Sequence, residues 1–208
     1  LRELKTTDRI LEAGCGIGKW VAFLGANGFT NVLGIDYSQE VVGILNSKNP
    51  NLNIKWGDAL NIQAVDNSFD AYLSFGVVEH LFPGPEPFLK EAYRVIKPSG
   101  KAIFTVPCVG PLRKFKGRAG KYRDHVEGIP FFQFGFQKLE FTNMLQLCGF
   151  KIENSSYLEL DRLLLEEVKQ YRSWAKYNSI RVIEKLISDL LEQIDGHMLM
   201  VVCTKPES

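Results

Sequence analysis

The sequence predicts an α/β protein on a mostly parallel sheet, and three observations carry that expectation. Apolar runs of strand length alternate with stretches of helical spacing from one end of the chain to the other. The run "FDAYLSFG" is almost wholly apolar, as a central parallel strand covered on both faces must be. In "RILEAGCGIGKW", Arg9 to Trp20, three glycines at alternate positions follow a short apolar strand and open a helix.

Each element follows from its neighbours. Arg9–Ala13 is the first strand, and the glycines that end it lead into a helix over Lys19–Asn27, stopped by Gly28. "NVLGIDYS" is a second strand ending at Asp36, and Gln39–Ser47 a helix that stops before Asn49-Pro50. "LNIKWGDA" is a third strand ending at Asp58, and "FDAYLSFG" the fourth. Pro87–Ile96 is a helix closed by the turn "KPSG", after which "KAIFTVP" is the fifth strand. From Gly110 to Gly128 the pattern breaks into a basic, glycine-containing loop. Leu139–Leu147 returns to helical spacing and ends at Gly149, before a sixth strand, "FKIENSSY". Leu158–Ile194 carries apolar residues three and four apart, as two helices broken near Tyr177–Ser179, and "HMLMVVCTK" closes as a seventh strand.

At 208 residues, with no internal repeat or linker, the chain is expected to form one domain over 1–208. Hydrophobic content of 45% with 24% charged residues is that of a folded protein. A formal net charge of +1 gives no global argument for nucleic acid or an anionic membrane as partner. Cys15, Cys108, Cys148 and Cys203 are scattered, with neither a CxxC pair nor metal-ligand spacing, which points to reduced thiols and no metal site. No apolar run is long enough to span a bilayer, so the default location is cytoplasmic. The chain begins at Leu1 rather than Met, and only Leu1–Asp8 precede the first strand, so an N-terminal cap is expected to be missing or the site unusually open.

The glycine spacing is GxGxG (Gly14, Gly16, Gly18), not the GxGxxG of the dinucleotide fingerprint. A phosphate loop is excluded, because "GIGKW" lacks the hydroxyl residue after its lysine that would hold magnesium. Glycines here let the backbone take positive φ and let a ligand press on the main chain, with helix N–H groups turned toward it. Asp36 stands where an acid can accept from ribose hydroxyls, although a turn or N-cap aspartate reads the same way. Asp58 in "WGDAL" could accept from an adenine amine beside the Ala59 N–H, and it too could be a cap.

Together these residues resemble the class I S-adenosylmethionine-dependent methyltransferases, in particular the broad subgroup acting on small molecules of the ubiquinone, polyketide and sugar type. The resemblance rests on an ordered set: "LEAGCGIG", "GIDYS", "GDA", "FDAYLSFGVVEHL", "FLKEAYRVIKPSGKAIFTVP", "FTNMLQLCGFKI" and "MLMVVCTKP". It implies a Rossmann-like, doubly wound seven-stranded sheet of order 3-2-1-4-5-7-6 with the last strand antiparallel. It also implies S-adenosylmethionine as cofactor, S-adenosylhomocysteine as product, and methyl transfer by in-line displacement to an O or N of a small molecule. Carried over by position, Glu12 would hold the methionine amino group, while Gly14, Cys15, Gly16 and Gly18 line the methionine and ribose. Asp36 would bind the ribose, Tyr37 would lie beside the adenine, and Asp58 with Ala59 would recognise its edge. Phe75, Gly76 and Val77 would face the sulfonium and the acceptor. A nicotinamide-dependent oxidoreductase is the rival within catalysis, opposed by the glycine spacing and "GDA". A cofactor-binding subunit without activity is the rival outside it.

His80 in "VVEHLF" is the leading candidate for a general base, since an imidazole ordinarily titrates near ~6.5, and His125 in "YRDHVEG" is the second. The basic loop Arg113–His125 reads either as an active-site rim for an anionic acceptor or as a solvated surface. Its sparse aromatics, Phe115 and Tyr122, argue against RNA. Pro107-Cys108 resembles the nucleophile pair of cytosine C5 methyltransferases but follows the wrong strand, so Cys108 is read as a buried thiol. "FFQFGF", Phe131–Phe136, could wall a substrate pocket or the core. The helices of Leu158–Ile194 could pack on the sheet, or with Tyr171 and Trp174 form a substrate lid or homodimer face. The loop 110–128 and the insertion 158–195 are thus the expected substrate cap.

Overall fold

The structure is a computed structural model that describes residues 4–115, 133–167 and 194–207. Seven strands form one sheet of order β3-β2-β1-β4-β5-β7-β6. β1 (Arg9–Ala13) pairs in parallel with both β2 (Asn31–Asp36) and β4 (Phe69–Phe75), so it lies at the centre, buried from Ile10 onward. β3 (Ile54–Trp56) extends the sheet past β2, and β5 (Ile96–Pro107) past β4, both in parallel. β7 (Met198–Thr204) inserts antiparallel between β5 and β6 (Lys151–Leu158).

Helices cover both faces. On one, α1 (Lys19–Ala26) buries Val21 and Leu24 and α2 (Gln39–Lys48) buries Val42, in a cluster with Ile10, Ile54 and Leu73. Ser38 starts α2, its hydroxyl accepting from the Val41 N–H at 3.2 Å. On the other face, α3 (Glu86–Val95) and α5 (Lys138–Leu147) pack Phe88, Leu89, Ala92, Phe141 and Leu145 on Tyr72, Phe104 and Val201. Residues 88, 89, 92 and 95 of α3 are all buried, the spacing of one helical face.

Several boundaries differ from the sequence reading. β3 ends at Trp56 rather than Asp58: Gly57 N still donates to Asp36 O at 3.0 Å, and then Asp58 turns the chain by accepting from Leu60 N at 2.8 Å. The "KPSG" turn lies inside β5, where the register with β4 jumps between Phe69 and Ala71 and Ser99 takes φ 61. The expected loop from Gly110 begins instead with a short helix, α4 (Pro111–Phe115). Leu158 belongs to β6, and α6 runs over Leu160–Glu167. The proposed break at Tyr177–Ser179 lies outside the described residues. Among the described residues no helix is long and apolar enough to cross a membrane.

The strand order reverses between β1 and β4, because the chain first runs outward through β2 and β3 and then restarts on the other side. Such a switch leaves a crevice beyond the carboxyl ends of the two strands. The site lies there.

Candidate active site

The turn after β1 is built from the main chain. Gly14 N and Cys15 N donate to Ile35 O at 2.8 and 2.9 Å, which ties the turn to the end of β2. Gly16 N then donates to Asp36 Oδ2 at 2.8 Å, and Ser38 N to Asp36 Oδ1 at 2.9 Å. Each Asp36 oxygen thus spends one acceptor site on the backbone and keeps another for a ligand hydroxyl. Gly14 has φ 76, and a Cβ there would stand 2.4 Å from Val77 Cγ2, so no side chain fits. Gly16, at φ 50, would carry a Cβ into open space, so its main chain faces the crevice uncovered.

These groups open on a cavity of about 760 Å³. Its wall brings together Glu12, Gly14, Cys15, Gly16, Asp36, Tyr37, Asp58, Ala59, Phe75, Gly76, Val77 and His80 from the sequence reading. Gly18 is not on the wall. It caps α1 at φ 72, buried against Ile54, where a Cβ would stand 2.5 Å from Ile54 Cδ1. His125 lies outside the described residues, as do Tyr171, Trp174 and most of the basic loop.

The cavity has two chemically different ends. Toward β2 and β3 it offers the acids Asp36 and Asp58 beside the exposed rings of Tyr37 and Trp56, whose centroids are 6.4 Å apart. Trp56 Nε1 donates to Tyr37 O at 2.9 Å and steadies the pair. Toward β4 the wall is apolar: Trp20 leans on Phe75 at 4.9 Å between centroids, with Leu81, Phe88 and the imidazole of His80 nearby. Trp20, Leu81 and Phe88 were not singled out from the sequence. Each sits in an amphipathic stretch where an apolar residue reads as core, and Phe88 indeed packs in the core as well.

Glu12 is buried at the cavity floor, its Oε2 accepting from Val21 N at 3.1 Å. Burial raises its pKa to about 7, against the lowering effect of that hydrogen bond, and the nearby Asp36 raises it further. A carboxyl so poised gains from a cationic ligand group, which would return it to its ionised form. Cys15 is buried beside it, its thiol pushed up to about 12 by burial first and by the two acids next. It is a wall, not a nucleophile.

Arg113, read as part of a loop that is either an anion-attracting rim or a solvated surface, points inward. It is 1% exposed, donates to Cys108 O at 2.6 Å, and meets His197 Nδ1 at 2.8 Å. Leu112 N beside it donates to the buried Asp195 at 2.7 Å. Arg113 therefore locks α4 to the end of β7. Cys108 is fully buried, its thiol raised to about 12 by burial. In the aromatic cluster, Phe134 and Phe136 pack in or against the core.

The donor set fits S-adenosylmethionine: bare glycine backbone, paired ribose and adenine acceptors, and a buried carboxyl for an ammonium. A family profile described as a methyltransferase domain matches residues 11–104. A probable S-adenosylmethionine-dependent methyltransferase of Mycolicibacterium smegmatis is 30% identical over 146 residues, 70% of this chain and 53% of that protein. An uncharacterised methyltransferase of Schizosaccharomyces pombe is 30% identical over 176 residues, 77% of this chain and 69% of that protein. The chain thus spans about half to two thirds of the length of these relatives. In fold it is similar to the Haemonchus contortus phosphoethanolamine N-methyltransferase 2 in complex with S-adenosyl-L-methionine. That likeness has a TM-score of 0.65 at 20% identity and covers 98% of this chain and 50% of the other. On the sheet order, the glycine turn and this kinship, the chain belongs to the class I S-adenosylmethionine-dependent methyltransferases.

Proposed function

We propose that this chain moves a methyl group from S-adenosylmethionine to an oxygen or nitrogen of a small molecule. The observation that carries this reading is the two-ended cavity, acidic and hydrogen-bonding over β2 and β3 but apolar with the His80 imidazole over β4. When bound, the cofactor supplies a methyl on a cationic sulfur, open to in-line displacement.

The chain's residues would divide the work between binding and alignment. Asp36 accepts from the ribose hydroxyls with its remaining lone pairs, and Asp58 with the Ala59 N–H takes the adenine edge beside Tyr37. Glu12 accepts from the methionine ammonium, while Gly14 and Gly16 let the ligand lie on the main chain. Trp20, Phe75, Leu81 and Phe88 exclude water and seat the acceptor against Gly76 and Val77, so that the nucleophile meets the methyl in line. His80 takes the acceptor's proton. The apolar character of that end favours an acceptor with an apolar body over a wholly ionic one.

The test is product formation. Incubation with S-adenosylmethionine and a panel of phenols, hydroxy acids and amines is expected to release S-adenosylhomocysteine, with the methyl found on a heteroatom. His80→Ala is expected to slow the transfer about 100-fold. Release no faster than in the absence of an acceptor, or a methyl found on carbon, contradicts the reading.

A further inference from the structure

Glu79 is a carboxyl where the core should not hold one. It sits in the 3-10 turn Val78–His80 after β4, only 3% exposed, and its Oε2 is buried with no hydrogen-bond partner among the described residues. An unpaired polar atom in the core is costly, and its presence calls for a use. Its other oxygen, Oε1, lies 4.0 Å from His80 Nε2, whose side chain is 45% exposed. A Cβ on Gly76 would stand 3.4 Å from the same Oε1, so the carboxyl lies directly behind the cavity wall that Gly76 and His80 form. The turn is fixed from the far side, where Phe134 N donates to Glu79 O at 2.8 Å. Among the charged side chains of the described residues, His80 is the one whose field acts on the carboxyl; none from β4, β5 or the Phe134 segment does. Burial raises the affinity of Glu79 for a proton; a hydrogen bond from its own backbone opposes that rise first, and the neighbouring imidazole next.

We propose that Glu79 is a positioning residue for His80. Its Oε1 accepts the Nε2–H of the ring once the side chain rotates to close the gap, which leaves Nδ1 unprotonated and turned to the cavity. Catalytic hydrogen bonds are often long before the substrate arrives. The acceptor's proton then passes to Nδ1, and its heteroatom gains the methyl as the carbon–sulfur bond breaks. The imidazolium that forms is matched by the Glu79 carboxylate, the base-plus-orienter logic of other acid–base pairs. This inference rests on the methyltransferase reading of the cavity.

The test is magnetic resonance on the whole chain, ligand-free and with S-adenosylhomocysteine. With carbon-13-labelled glutamate side chains, His80→Gln is expected to move the Glu79 titration midpoint up, because the imidazole that opposes its rise is removed. An unmoved midpoint overturns the pairing. With nitrogen-15-labelled rings, His80 is expected in the Nε2–H tautomer in the parent chain and in a tautomer mixture in Glu79→Leu, which has no acceptor for the ring. The same tautomer population in both also overturns it. Failure to bind S-adenosylhomocysteine in these samples would count against the methyltransferase reading alone, since the ligand-free titration decides the pairing separately.

Discussion

In the proposed binding mode, Glu12 would couple the binding of the cofactor to protons. In the ligand-free fold its pKa stands near 7, raised by burial above the ordinary 4.5. Because the folded value exceeds the unfolded one, ionising Glu12 costs stability as pH rises from about 4.5 to 7, and the full cost of about 3 kcal/mol remains above that window. A bound ammonium reverses the preference, so binding below pH 7 must expel a proton. Calorimetric titration with S-adenosylhomocysteine is therefore expected to show affinity rising about tenfold from pH 6 to pH 8, then levelling. Glu12→Gln keeps the acceptor for Val21 N, and is expected to weaken binding, flatten its pH dependence and raise the melting temperature of the ligand-free protein at pH 8. A variant with the parent's pH dependence would show that Glu12 does not meet the ligand. The residue scale is also where the sequence was most legible, because the chemistry of Asp36 and of the glycine turn is local. Glu79 was not legible: beside a histidine in "VVEHLF" it looks like a surface acid, and only the 3-10 turn after β4 carries it inward.

At the scale of elements, α4 shows how a charge run can mislead. "RKFKGRAGKYRDH" reads as a basic rim or a solvated surface, yet its first arginine is a buried anchor. The partners that draw it in, the Cys108 carbonyl and His197, come from the ends of different strands, and His197 is 84 residues away in the chain. No local pattern could announce that meeting. Arg113→Ala would leave those acceptors unpaired around a hole, and urea unfolding is expected to show a loss of about 3 kcal/mol. Lys114→Ala, on an exposed neighbour, is expected to change stability by less than about 0.5 kcal/mol. Equal effects would mean that Arg113 is not the anchor. Strand boundaries shifted for a related reason. The pattern carries β3 on to Asp58, but the side chain of Asp58 captures Leu60 N and ends the extended run two residues earlier.

For the molecule as a whole, topology places the chemistry. A mostly parallel sheet was legible from alternating apolar runs, whereas the strand order, with β7 inserted between β5 and β6, followed only from the family resemblance, since no spacing specifies it. The switch between β1 and β4 then sets the acids on one side of the glycine turn and the apolar face with His80 on the other. The central claim is that this crevice holds S-adenosylmethionine, and thermal unfolding at pH 8 tests it most directly. At a hundred times its dissociation constant, S-adenosylhomocysteine should stabilise the fold by about 2.7 kcal/mol. For a chain of this length that is a rise of roughly 5–10 °C in the melting temperature, with no change from the same concentration of NAD. A rise with NAD alone, or none with S-adenosylhomocysteine, would contradict the account.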